Sequence, residues 1–428
     1  MSAALTVIPF ALLLLGFPIY VVLLAGSCVA LAISPDLPLL ALHQNLFAGV
    51  NSLALLAIPF FIYAGELMGR GSLANRLIDV VDGVARPLPG SLALTTVGSA
   101  TLFGAISGAS AATVATIGRV MHPALLGAGY SPRFAAGLVT TVGAIDIVIP
   151  PSIPLIVYAI AANESVPRLY AAGVLPGLVL AALLAAYVVI EARRSGVGHV
   201  RRFDWATLRR AAVRSLWALG APFVVLGGIY GGWASPTESA AYGCAYAALV
   251  TRFIYRELGW REVAAAAAST IRFCGQVLII VACANVFGWL LTVQQVPATV
   301  VAWVNHWELP AWALLLAMNV LLLIAGCLID PISAILMFAP LLVPVAQSAG
   351  IDLIHLGIVM TVNLAIGLFT PPFGINLFVA QSTLKLPLPL LYRSILPFLF
   401  VYLIGLAVVT YVPSLSLLGT QLFLAVPE

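Results

Sequence analysis

AGLVTTVGAIDIVIPPSIPLIVYA, residues 136 to 159, and GIVMTVNLAIGLFTPPFGINLFVA, residues 357 to 380, are predominantly apolar and carry Pro-Pro at matching places 221 residues apart. Proline removes a backbone donor and clashes with the preceding turn, so two in succession stop a helix. Runs this long and apolar read as membrane-spanning. Their interruption leaves polar backbone at membrane depth, where only protein or a water-filled cavity can receive it. The two stretches therefore predict two broken helices, one in each half of a duplicated chain.

The same offset pairs Pro123 with Pro344, Gly129 with Gly350, Thr140 with Thr361 and Pro176 with Pro397. Residues 101 to 176 hold seven prolines and 322 to 397 hold eight, and four coincide, against roughly one expected by chance. Two further stretches, 91 to 128 and 310 to 349, are too long for one crossing and are broken at Ser107 to Ser110 and at Asp330-Pro331. Each reads as a re-entrant helical hairpin. The five crossings between them, an odd number, give the two repeats opposite orientation, which is a transporter architecture.

Composition agrees. Of 428 residues, 62% are hydrophobic and 8% charged, and the mean hydropathy is +1.12. A soluble chain carries about a quarter charged residues, and barrel strands alternate polar with apolar, so the class is an all-α polytopic membrane protein. The net charge of +4 lies in short clusters between apolar runs, which indicates topology and not nucleic acid. Five cysteines, at 28, 244, 274, 283 and 327, show no metal or disulfide spacing.

Spans are expected near 4 to 33, 46 to 69, 133 to 161, 165 to 192, 214 to 232, 236 to 254, 270 to 293, 352 to 380 and 387 to 412. With the N-terminus inside and the hairpins non-crossing, Arg70, Arg76, Arg86, Arg133, the cluster from Arg193 to Arg214, Arg252, Arg256, Arg261, Arg272 and Lys385 fall inside, and Arg168 outside. This places the N-terminus in the cytoplasm and the C-terminus in the periplasm. Residues 70 to 88 and 296 to 308 read as interfacial arm helices. The organisation is then 1-90, first scaffold helices and cytoplasmic arm; 91-161, first hairpin and broken helix; 162-309, scaffold helices with a cytoplasmic linker 193-213 and outer arm; 310-380, second hairpin and broken helix; 381-428, last scaffold helix and C-terminus.

Candidate chemistry sits at the breaks. Ser107, Gly108, Ser110 and Thr113 at the first tip offer hydroxyls and freed carbonyls to a cation, and small residues there equally permit close helix packing. Gly143, Asp146, Pro150, Pro151 and Ser152 surround the first break, and Asn363, Gly367, Thr370, Pro371, Pro372, Gly374 and Asn376 the second. Asp330, with Ser333, either caps the returning helix or ligates a cation. Asp146 either takes an ion or proton or bonds to freed backbone. Glu238 reads as a helix cap, and Arg119 and His122 either as cytoplasmic-end anchors, which the charge pattern favours, or as substrate contacts. His43, His199, His306 and His355 lack ligand spacing.

Five segments, IPFFIYAGELM (58 to 68), GAISGASAATVATIGRVMHPALLGAGY (104 to 130), IPPSIPLIVYA (149 to 159), GGIYGGWASPTESAA (227 to 241) and residues 357 to 380, resemble the large membrane subunit of tripartite ATP-independent periplasmic (TRAP) transporters, the DctM-like family of the ion transporter superfamily. The resemblance is nearly full length. It implies a bacterial inner-membrane, elevator-type secondary transporter with no cofactor, coupled to sodium ions. It implies three partners: a periplasmic substrate-binding protein, a small four-helix membrane subunit and an organic-acid substrate. The site it implies comprises Ser107, Gly108, Ser110, Gly143, Pro150, Pro151, Asp330, Gly367, Thr370, Pro371 and Pro372. Gly326 lies on the approach to the second tip, and sodium is expected near Ser107, Ser110, Gly143, Gly326, Gly367 and Thr370. The chain departs from the family pattern at Thr113, where an acidic residue often stands, and at Asp146, where a small or apolar one is usual.

Two alternatives are a proton-coupled transporter of the same fold and an intramembrane serine hydrolase using Ser107 and His122. The hydrolase reading places the base fifteen residues along a helical arm, over about 20 Å at the 1.5 Å rise, and leaves the repeat unexplained. The chain is expected not to be an enzyme.

Overall fold

Short signals set where the helices begin. Ser131, Ser235 and Asp330 each precede a proline and accept a hydrogen bond from the amide of Phe134, Glu238 and Ser333 respectively. Such a cap satisfies a donor that the first turn leaves free, and proline at the first position has no donor to lose. Glu238 accepts from the Ser235 amide at 2.7 Å and completes a capping box. Asp330 likewise caps its helix, accepting from the Ser333 amide at 3.0 Å.

The computed structural model describes residues 7–9, 11–13, 15–33, 37–197 and 202–424. His199 and Arg201, at the centre of the expected linker, lie outside the described residues. The helices are α1 Ile19–Ala32, α2 Leu39–Val50, α3 Ala57–Arg70, α4 Leu73–Ala85, α5 Ser91–Ser107, α6 Ser110–Gly127, α7 Pro132–Val142, α8 Ile153–Ala162 and α9 Val166–Ser195. The second half continues as α10 Trp205–Arg214, α11 Leu216–Tyr230, α12 Pro236–Leu249, α13 Trp260–Val293, α14 Val296–His306, α15 Ala311–Leu328 and α16 Pro331–Ser348. It ends with α17 Leu353–Gly367, α18 Ile375–Leu384, α19 Leu388–Tyr411 and α20 Ser414–Phe423. No strand occurs among the described residues.

The 221-residue repeat is visible in these boundaries. Both ends of α6 shift by that offset onto both ends of α16, and α5, α8 and the start of α19 fall within one or two residues of their counterparts. The two hairpins are the pairs α5/α6 and α15/α16, and the two broken helices are α7/α8 and α17/α18. The returning arm α6 packs on α18, and α16 packs on α8. Each hairpin therefore leans on the broken helix of the other repeat. The long α13 runs beside α1, α2 and α3 and also meets α16.

Several expected spans are subdivided. The first, 4 to 33, is interrupted before Pro18, which starts α1. The second, 46 to 69, is cut at Asn51, so that α2 is a separate helix and a 3-10 turn, Leu53–Leu56, leads into α3. Part of the linker folds as α10, and the C-terminal stretch after α19 adds α20, whose Gly419 packs on the Ala171 carbonyl of α9. Only six helices among the described residues are individually long and apolar enough to span a bilayer. The broken helices fail that test because each is two short pieces.

Outside the apolar body, α4 is held by one ionic clasp. Glu257 accepts from the Ser72 amide at 2.7 Å, from the Ser72 hydroxyl, and from Arg76 at 2.9 Å. The Arg76 guanidinium also lies 3.8 Å from the Tyr255 ring centroid. Burial pushes the Glu257 carboxyl up, but the hydrogen bonds from Ser72 and Arg76 outweigh it and hold it below the ordinary glutamate value. A depressed carboxylate contributes stability that is present above its unfolded value, about 4.3, and is lost as the pH falls through the folded value. Glu257→Gln is expected to cost about 1–2 kcal/mol at pH 7, since the pair is partly exposed. The difference from the parent should vanish on acidification in thermal unfolding of the purified protein.

Candidate functional site

A cavity of about 350 Å³ lies where the two repeats meet. Gly108, Ala109 and Ser110 of the first tip and Asp330, Pro331 and Ile332 of the second line it, with Ile147, Ile153, Leu368 and Asn376 from the broken helices. Phe273 and Gln276 of α13 close the remaining wall. The size suits a small organic solute. Helix N-termini converge here, at Ser110 and Pro331; the uncapped amides at Ser110 favour negative charge, whereas the second helix is already capped by the Asp330 carboxylate.

Backbone contacts that only glycine permits build the tips. Gly108 adopts φ +57°, and a Cβ there would lie 2.5 Å from the Pro151 carbonyl oxygen. Through that contact the first tip is seated on the first break. A Cβ on Gly143 would lie 2.6 Å from the Ser110 carbonyl oxygen, and one on Gly367 would lie 2.4 Å from the Gly326 carbonyl. The expected sodium-site residues are thus brought together as Ser110 with Gly143 and Gly326 with Gly367. Ser107 Oγ is buried without a hydrogen-bond partner.

Polar side chains tie the halves together. Asn376 Nδ2 donates to Ser110 Oγ at 2.8 Å, linking the first tip to the second broken helix. Ser152 caps α8 by accepting from Leu155 and donates to the Ile147 carbonyl. Thr370 donates to the Ile366 carbonyl at 2.6 Å, and the Asn376 amide closes the loop after Pro371 and Pro372 onto Leu368 at 2.8 Å. Ser333 donates to Asp330, within the cap. Asn363 stands apart from the cavity. It donates to Asn319 at 2.8 Å, and Asn319 donates to Thr410 at 3.0 Å, a network joining α15, α17 and α19.

Asp146 is fully buried in the 3-10 turn Gly143–Ile147. One carboxyl oxygen accepts from Thr113 of α6, and the other is buried without a partner. On the α5 side it meets Gly104, where a Cβ would fall 2.6 Å from Oδ1. By the repeat offset, Asp146 occupies the place of Gly367. The two positions at which the sequence is expected to depart from the pattern of the family it resembles, Thr113 and Asp146, are bonded to each other.

Two wall residues, Phe273 and Gln276, were not among the expected site residues. Gln276 is polar within an apolar run of α13, a signal that the sequence contained but that only the cavity makes specific. Arg119 and His122 lie down α6 from the tip, in neither break.

A family profile described as "Tripartite ATP-independent periplasmic transporter, DctM component" matches residues 6–415. The chain is 40% identical, over 92% of each sequence, to a protein named as the C4-dicarboxylate TRAP transporter large permease protein DctM of Pseudomonas aeruginosa. It is 35% identical, over 97% of its own length and 98% of the relative's, to the ectoine/5-hydroxyectoine TRAP transporter large permease protein UehC of Ruegeria pomeroyi. Among solved structures it is similar to the YdaH transporter of Alcanivorax borkumensis, with a TM-score of 0.64 at 16% identity over 97% of this chain and 99% of that one, a likeness of fold.

Proposed function

Because this chain belongs to the DctM family of tripartite ATP-independent periplasmic transporters, we propose that it imports a small organic acid, driven by a sodium gradient, by moving its hairpins and broken helices as one body. Its relatives are permease subunits and not enzymes. The observation that carries the proposal is the single cavity shared by both hairpin tips, both broken helices and α13. Cross-packing of α6 on α18 and of α16 on α8 supports joint movement, because neither hairpin can shift without the other repeat's broken helix. The uncapped start of α6 at Ser110 favours a carboxylate. A small four-helix membrane subunit and a periplasmic binding protein complete the assembly, with the N-terminus in the cytoplasm of a bacterial cell and the chain in its inner membrane.

The donors at the tips suit a monovalent cation. No group of three or more His, Cys, Asp or Glu gathers among the described residues, whereas divalent ions favour carboxylate-rich sites. Ser107, through its unpartnered hydroxyl, and Ser110 with Gly143 would hold one ion at the first tip; Gly326, Gly367 and Thr370 would hold another at the second. Bound sodium would supply the driving force. The test is uptake into proteoliposomes containing this chain, its small subunit and its binding protein, across a panel of organic acids. Accumulation that needs both the binding protein and an inward sodium gradient is the expected result; accumulation that ignores sodium overturns the coupling.

One observation favours a second reading. The buried, half-unpartnered carboxyl of Asp146 is the group that would exchange a proton if uptake followed a pH gradient instead.

A further inference from the structure

A second groove, of about 310 Å³, lies between α3 and the first hairpin. Gly65, Glu66 and Arg70 of α3 line one side, and Ser107, Ala109 and Arg119 the other. Ala109 lines both this groove and the central cavity, so a single turn of the first tip separates the two spaces. Gly65 lets α3 come close to that partition: a Cβ there would lie 3.0 Å from the Ser107 carbonyl oxygen.

The charges in the groove are unequal. Arg70 is paired with Glu66 at 2.9 Å, and Glu66 also meets Ser269 at 3.5 Å. Arg119 forms no ion pair among the described residues; its Nε donates to the Ala115 carbonyl at 3.1 Å, and the rest of its guanidinium stays available. It lies nine residues beyond Ser110, about 14 Å down the arm at the 1.5 Å helical rise. The repeat offset takes Arg119 to Pro340, which lines a groove of about 340 Å³ between α13 and the second hairpin. That groove is lined by no charged residue. Two grooves related by the repeat thus differ in charge: the first carries the Arg70–Glu66 pair and, beside its hairpin, the guanidinium of Arg119, unpaired among the described residues, and the second carries no charge.

We propose that this groove is a release station for the transported solute, in which Arg119 contacts the solute's carboxylate or other anionic group after it passes the first tip. The proposal rests on the reading above that the chain carries an organic acid, and on the topology in which Arg86 and Arg133 lie inside, so that the first hairpin enters the membrane from the cytoplasmic side. The anion leaves one set of positive partners, the uncapped amides at the start of α6, for another. A guanidinium matches a carboxylate in two parallel hydrogen bonds. The groove holds no second free cation, so the contact is weak enough to release.

The test uses proteoliposomes holding this chain, its small subunit and its binding protein, with radiolabelled succinate and a panel of other labelled organic acids as probes. Arg119→Gln is expected to lower the initial uptake rate about tenfold, with an unchanged half-saturating concentration of loaded binding protein, while R119K keeps at least about half the parent rate. Arg119→Cys should be equally slow, recover at least about half the parent rate with a cationic thiol reagent, and stay slow with an anionic one of the same size. The parent treated with each reagent controls for the native cysteines. A merely structural role would not be restored by charge. Uptake by Arg119→Gln within twofold of the parent, or equal recovery with both reagents, overturns the proposal, and the cysteine variant decides the matter if the glutamine variant does not assemble. A parent complex that takes up none of the acids overturns both this proposal and the reading on which it rests; a parent that does so while the cysteine variant ignores reagent charge overturns this proposal alone.

Discussion

Gly367→Val is expected to prevent the chain from accumulating as a folded, monodisperse protein. The Cα of Gly367 sits against the Gly326 backbone, and a Cβ there would lie 2.4 Å from its carbonyl carbon and oxygen. Those atoms are main chain within α15 and cannot rotate away as a side-chain end would. Overpacking a well-filled core ordinarily costs about 1–3 kcal/mol; a collision with backbone on two helices exceeds that range and takes much of a typical stability margin of about 5–15 kcal/mol. The reciprocal change, Gly326→Ala, should be milder, because a Cβ there would meet Gly367 Cα at 3.2 Å and Leu364 Cδ2 at 3.3 Å. Size-exclusion profiles and thermal unfolding of both variants check the order. Equal behaviour of the two would mean that α15 and α17 do not cross at this pair.

Replacing Asp146 separates packing from charge. Asp146→Ala is expected to cost about 2–4 kcal/mol, since it opens a void at a fully buried position and strips Thr113 of its acceptor. Asp146→Asn keeps the size and a carbonyl oxygen for Thr113, and should cost less than about 1 kcal/mol. An amide cannot exchange a proton. If sodium alone drives transport, the asparagine variant should take up solute within about twofold of the parent and respond to pH as the parent does. If protons contribute, the response to an imposed pH gradient should disappear in this variant while sodium-driven uptake survives. Uptake at two luminal pH values, with and without sodium, distinguishes the outcomes.

The architecture was legible because proline and glycine punctuate it. Pro150-Pro151 and Pro371-Pro372 announced the breaks, and Ser107 to Ser110 and Asp330-Pro331 announced the tips, through backbone rules that hold whatever surrounds them. The α1 and α2 boundaries were not legible, because hydropathy does not fall where those helices end; Asn51 and Pro18 cut apolar runs that composition alone reads as continuous. The capping bond of Asp330 to the Ser333 amide could not be read from spacing, since a cap and a ligand use the same carboxylate. The pairing of Thr113 with Asp146 was equally hidden. They stand 33 residues apart, and nothing local says that a tip helix and a broken helix will lay these two side chains together. Phe273 and Gln276 joined the cavity through the packing of α13, a long-range contact with no local signature.

The bond between Asn376 and Ser110 spans 266 residues, and α6 rests along α18 for its support. During synthesis, at about 5–20 residues per second, the first hairpin emerges roughly 13 to 50 seconds before the helix it must lean on. For that interval its hydroxyl-lined tip has no native partner from the other repeat. The last quarter of the chain therefore sets the moment at which the first hairpin becomes native, and a ribosome that stalls after α15 leaves behind an unsupported first hairpin for quality control to find.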